Sequence, residues 1–129
     1  MSSESARMSS AAEARFRIQD QPPTQRVVKV IDLDTATAGD VARLVGELDS
    51  DRVDLVVMVV GAGHDAPAAA IIGEACSARR VMTHTAIVRA AAVSDAALSR
   101  TLGQVRPWSL MVVVTNEDDY VTDVLTSLR

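Results

Sequence analysis

From Asp54 to Gly61 the chain reads DLVVMVVG, with an apolar residue at every position from Leu55 to Val60. A strand with one face in water alternates apolar and polar side chains, so an unbroken run is stable as a strand only where both faces are covered. The run is also far shorter than the ~20 residues that span a bilayer. It predicts a central strand of a parallel sheet, and the rest of the sequence is read around it.

Comparable segments flank it. VVKVIDL (27–33) is rich in β-branched residues, RVMTHTAIV (80–88) has the same character, and SLMVVV (109–114) supplies a fourth strand. Between them the apolar period becomes helical. Val41, Leu44, Val45 and Leu48 follow a cap at Thr35 or Thr37, while Ala69, Ile72 and Cys76 form a stripe within residues 66–78. Ser94 caps a segment running through Leu98, Leu102 and Val105, and a last helix is expected with Val121, Val124, Leu125 and Leu128. The β-α-β-α-β-α-β-α order predicts a Rossmann-like α/β fold, a three-layer sandwich with a four-stranded, mostly parallel sheet and right-handed crossovers.

Residues 1–26 are polar, lack an apolar period and read as a flexible N-terminal tail; residues 27–129 read as a single domain. At 129 residues and 48% hydrophobic content the chain suits one core. The net charge is −4, without a Lys/Arg run, and Phe16, Trp108 and Tyr120 are the only aromatics. Neither a duplex-binding stripe nor a base-stacking platform is present, so no nucleic-acid partner is expected. The single cysteine, Cys76, excludes an internal disulfide and a CxxC site. With no apolar segment in residues 1–25, a soluble, cytoplasmic protein without a membrane partner is expected. Lys29 is the only lysine and stands early in the first strand, which argues against a receiver-type phosphoacceptor site.

Parallel sheets carry ligands beyond the carboxyl ends of their strands, so function is sought in the loops 32–37, 61–67, 89–94 and 115–119. Gly61 and Gly63 allow backbone to approach a ligand. Asp65 is expected to cap the following helix and occupy the position an anion would take, with Pro67 in the first turn. His64 is the candidate acid/base residue, its ring oriented by Asp65. Asp32, Thr115 and Asn116 join Gly61 and Gly63 as candidate ligand contacts. No G-x-S-x-G elbow supplies a nucleophile, and the nearest hydroxyls, Thr83, Thr85 and Thr115, lie on or just past other strands. His84 falls within a strand and Cys76 on a helical stripe, where both read as packed residues. Asn116, Glu117, Asp118 and Asp119 could join Asp32 and Asp34 around Mg²⁺, but acids at a helix start are explained by the helix dipole. Neither a metal nor a cofactor is expected.

Three segments, VVKVIDLDTATAGD, the stretch from DLVVMVVGAGHDAPAAA through THTAIVR, and SLMVVVTNED, resemble the nucleotide-binding half of the bacterial tubulin homologue FtsZ in order and spacing over residues 27–119. Gly61, Gly63, Ala66 and Pro67 match that family's phosphate-loop pattern. Its earlier Gly-rich loop has no counterpart, its loop threonines are replaced by Ala62 and His64, and its last glycine by Asp65. The resemblance implies a small relative that has lost GTP binding and the second domain; convergence on one turn geometry accounts for the same residues.

Lacking a complete catalytic set, the sequence is read first as a small α/β binding or assembly module, homo-oligomeric or accessory to a protein partner. The alternative is a small enzyme or small-molecule sensor with its site around His64.

Overall fold

A computed structural model of the chain describes residues 26–117. Residues 1–25 of the expected tail, and the expected helix through Val121 and Leu128, lie outside the described residues. Four strands, β1 (Val28–Asp32), β2 (Leu55–Gly61), β3 (Met82–Val88) and β4 (Met111–Val114), form one sheet in the order β1-β2-β3-β4. Every neighbouring pair is parallel. The uniformly apolar run is therefore interior, with β1 on one side and β3 on the other. Parallel strands need crossovers, supplied by α1 (Ala38–Ser50), α2 (Ala68–Ala78) and α3 (Asp95–Val105).

The helices begin where local chemistry directs. Thr37 Oγ1 accepts from the Asp40 N–H while the Asp40 carboxylate accepts from the Thr37 N–H, a reciprocal capping box that opens α1. Ser94 accepts from the Ala97 N–H and opens α3. Helix α2 differs from expectation: it starts at Ala68 behind Pro67, and no side chain caps it. Its far end is tied to α1 by a two-bond Arg79–Asp49 pair, at 2.6 and 3.0 Å. The Arg79 guanidinium holds the Asp49 carboxyl below its usual range.

One cluster joins Val41, Leu44 and Leu48 of α1, Ala69, Ile72 and Cys76 of α2, and Val105 of α3 to Ile31, Val56, Met58, Val60 and Ile87 of the sheet. All three described helices thus share one sheet face, as crossovers of a single hand require when strand order runs in one direction. The other face is also buried at its centre. Leu55 and Ala86 are 1% exposed there, and Val57 and Val88 2%. Burial on both faces is consistent with a three-layer α/β fold, and it is what the unbroken apolar run demands. Cys76 is fully buried, which pushes its thiol pKa up, so it packs as a small apolar residue. Among the described residues no helix is long and apolar enough to cross a membrane.

His84 stands on the second sheet face, opposite Val57 and Met111 in the register. Desolvation lowers its pKa from the ordinary value. A histidine with a lowered folded pKa binds more protons when unfolded, so its contribution is present above the unfolded value of about 6.5 and is lost progressively as pH falls from there through the lower folded value. Urea midpoints measured between pH 7.5 and 5.5 are therefore expected to fall more steeply for the wild type than for His84→Gln; parallel curves would contradict this.

Candidate functional site

The turn after β1 delivers the central group. Leu33 continues the sheet pairing by donating its N–H to the Val59 carbonyl at 2.8 Å, and the Asp32 carboxylate accepts from the Asp34 N–H at 2.9 Å. Asp32 therefore fixes the turn. Because Asp32 is level with Val59 in the register, Asp34 arrives beside Gly61.

Three donors meet the Asp34 carboxylate there. The Gly61 N–H donates to Oδ2 at 2.9 Å, His64 Nδ1 lies 2.8 Å from Oδ1, and the Arg89 guanidinium lies 3.4 Å from Oδ2. One carboxylate ties the ends of β1, β2 and β3 together. The carboxylate is largely shielded, whereas the His64 side chain is 54% exposed. With Nδ1 committed to Asp34, the ring turns its other nitrogen to new partners; Nε2 has none among the described residues. That is how a carboxylate prepares an imidazole for hydrogen bonding or proton transfer.

Glycine at 61 is a matter of space. A Cβ there would lie 2.6 Å from the Arg89 guanidinium and 2.8 Å from the His64 ring. Gly63 has a different reason, a φ of +85° that side chains rarely adopt. Arg89 itself holds left-handed backbone, φ 57° and ψ 41°, uncommon for a residue with a side chain and concentrated at functional sites. Its loop is held by the end of β4: the Ala90 N–H donates to the Thr115 carbonyl at 3.1 Å and the Ala91 N–H to Asn116 Oδ1 at 2.8 Å. Thr115 Oγ1 accepts from the Glu117 N–H at 3.1 Å. Thr115 and Asn116 thus brace the Arg89 loop.

Asp65 does not cap α2, contrary to the expectation above, and it does not orient His64. Gln104 of α3 reaches the loop instead, its Oε1 accepting from the Ala66 N–H at 2.6 Å and its Nε2 donating to Asp65 Oδ1 at 3.2 Å. Thr101, fully buried on the same helix, accepts from the Gly63 N–H and donates to the His64 carbonyl, both at 2.9 Å. The Ala62 N–H goes to the Val88 carbonyl and the His64 N–H to the Gly61 carbonyl. The N–H groups of Gly61, Ala62, Gly63, His64 and Ala66 all have protein acceptors, so the loop presents side chains to a ligand rather than a backbone cradle for phosphate.

Of the sequence-predicted site, Gly61 and His64 converge, Gly63 shapes their loop, and Asp32, Thr115 and Asn116 support the turns around them. Asp34, Arg89, Thr101 and Gln104 complete the arrangement. Among the described residues no group of three or more His, Cys, Asp or Glu side chains forms a metal site; Asp118 and Asp119 lie outside them. Thr85 is committed to Ser109, at 2.6 Å between hydroxyls. No family model, curated protein or solved structure matches the chain.

Thr101→Val keeps the side-chain shape but strands the Gly63 N–H and the His64 carbonyl. Unsatisfied buried groups of this kind cost about 1–3 kcal/mol. A urea midpoint lowered accordingly, with an unchanged denaturant slope, is expected; an unchanged midpoint would show that the loop is held some other way.

Proposed function

We propose that the chain is a cytoplasmic small-molecule-binding module, a sensor or a small enzyme, whose polar ligand seats between His64 and Arg89 at the carboxyl edge of the sheet. The observation that carries this reading is the convergence of His64 and Arg89 on Asp34 over a glycine that leaves them room. The edge is where parallel sheets bind ligands. His64 Nε2 accepts a hydrogen bond from a ligand O–H or N–H, the Arg89 guanidinium donates to ligand oxygens, and Asp34 keeps the imidazole in the orientation that acid/base work on the ligand requires. Nucleoside triphosphates are outside the reading, because the N–H groups of Gly61, Ala62, Gly63, His64 and Ala66, which would have to cradle the phosphates, are already bonded.

A thermal-shift screen of polar metabolites tests it. A ligand at 100 times its Kd stabilises by about 2.7 kcal/mol, and that gain is expected to vanish in His64→Ala and shrink in Arg89→Ala, with GTP and ATP giving no shift. A hit that both variants retain would place the ligand elsewhere.

A second reading, self-assembly, is favoured by β4, which is an edge strand among the described residues. Leu110 is 71% exposed, Met111 45% and Val114 44%, and no charge interrupts residues 111–114. The β1 edge, in contrast, carries Lys29 paired with Glu47 and Asp51. Uncharged apolar edges pair with other strands. Light scattering is expected to find a discrete oligomer that Met111→Lys converts to monomer; a wild-type monomer at high concentration would dismiss this reading.

A further inference from the structure

Positive charge gathers at the opposite edge of the sheet, where the strands begin. The register sets Val28, Leu55 and Met82 level, so the chain entering β1, β2 and β3 arrives side by side. Arg26, Arg52 and Arg80 lie on those three approaches. They line one cleft of about 410 Å³ together with Asp54, Leu55 and Met82. This is the size range of small-molecule sites, roughly 300–1,000 Å³. At about 3.3 Å per residue, β2 separates the cleft from His64 by roughly 20 Å.

Among the described residues the charge there is only partly neutralised. Asp54 is the only carboxylate lining the cleft among the described residues, and its Oδ2 already accepts from the Val27 N–H at 2.8 Å and from Arg52 at 3.1 Å. Elsewhere Arg43, Arg79 and Arg89 each hold a carboxylate, of Asp40, Asp49 and Asp34, while Arg100 and Arg106, which hold none among the described residues, stand away from this cleft. Arg26 and Arg80 hold none among the described residues. In a chain of net charge −4, two guanidinium groups with no carboxylate among the described residues, gathered beside a third, mark a place for an anion.

Arg80 adds a second observation. Helix α2 ends with the Val81 N–H on the Cys76 carbonyl and Arg80 at φ 58°, the left-handed position after a helix that glycine normally takes. An arginine there is strained, yet its side chain joins the cleft. A cation after a helix end also complements the helix dipole. That accounts for Arg52 and Arg80 singly; it does not bring in Arg26, which follows no described helix.

We propose that this cleft binds the phosphate group of an organic molecule, with Arg26, Arg52 and Arg80 taking its oxygens and the exposed Met82 lying against its apolar part. Guanidinium groups match phosphate with paired, charge-assisted hydrogen bonds, and three of them approaching from separate loops suit a group with several acceptor oxygens. The phosphate can belong to a soluble ester or to a lipid headgroup.

The test titrates the full chain with inorganic phosphate and with phenyl phosphate at constant ionic strength, and sediments it with phosphatidylglycerol vesicles. Phenyl phosphate is expected to bind at least tenfold more tightly than inorganic phosphate. Arg80→Gly is expected to weaken binding at least tenfold while leaving the melting temperature of the free chain equal or higher, because it relieves the backbone strain. Arg52→Gln is expected to weaken binding similarly. Vesicle binding that Arg80→Gly abolishes would assign the phosphate to a lipid and support the same site. No saturable signal with any probe, or binding that survives both substitutions, would overturn the proposal.

Discussion

The carboxylate of Asp34 is the interaction on which the carboxyl edge of this protein depends. It binds the Gly61 N–H, the His64 imidazole and the Arg89 guanidinium, and so joins turns that follow three different strands. A shielded carboxylate needs such donors, because burying it without them is costly. The three donors need it in turn: it orients the ring of His64, balances Arg89 and satisfies the backbone where β2 ends. Loop stability and site geometry therefore rest on the same group.

Helix α3 provides the second constraint. Thr101 and Gln104 reach from it into the loop after β2 and take up backbone N–H groups that would otherwise face solvent or a ligand. The loop is in this way turned inward, with the N–H groups of Gly61, Ala62, Gly63, His64 and Ala66 occupied by its own protein. What it offers outward is the His64 ring and the neighbouring Arg89. The two ends of the sheet differ accordingly. One presents a carboxylate-centred polar cluster and the other a group of arginines around Leu55 and Met82.

Much of the fold was legible because its causes are local. The apolar run from Leu55 to Val60 states its own burial on both faces, Thr37 with Asp40 and Ser94 with Ala97 are short-range caps, and Cys76 falls on a stripe of small apolar residues. The site was legible only in part because its causes are distant. Asp34 precedes His64 by 30 residues and meets it only through the β1–β2 register, whereas Asp65, adjacent in sequence, points to Gln104 instead. Arg89 offered one sequence signal, a charged residue immediately after an apolar strand at the ligand-bearing edge. Thr101 and Gln104 offered less, since in an amphipathic helix they read as ordinary polar positions; only the tertiary contact of α3 with the loop gives them their role.

The hydrogen on the His64 ring reports most directly on the Asp34 interaction. Long-range proton–nitrogen correlation spectra, recorded at a pH where the ring is neutral, distinguish its two tautomers. The account predicts that wild-type His64 carries its proton on Nδ1, donated to Asp34, and that Asp34→Ala returns the ring to the Nε2-protonated form of an unrestrained histidine. An Nε2-protonated ring in the wild type, or spectra unchanged by Asp34→Ala, would contradict it.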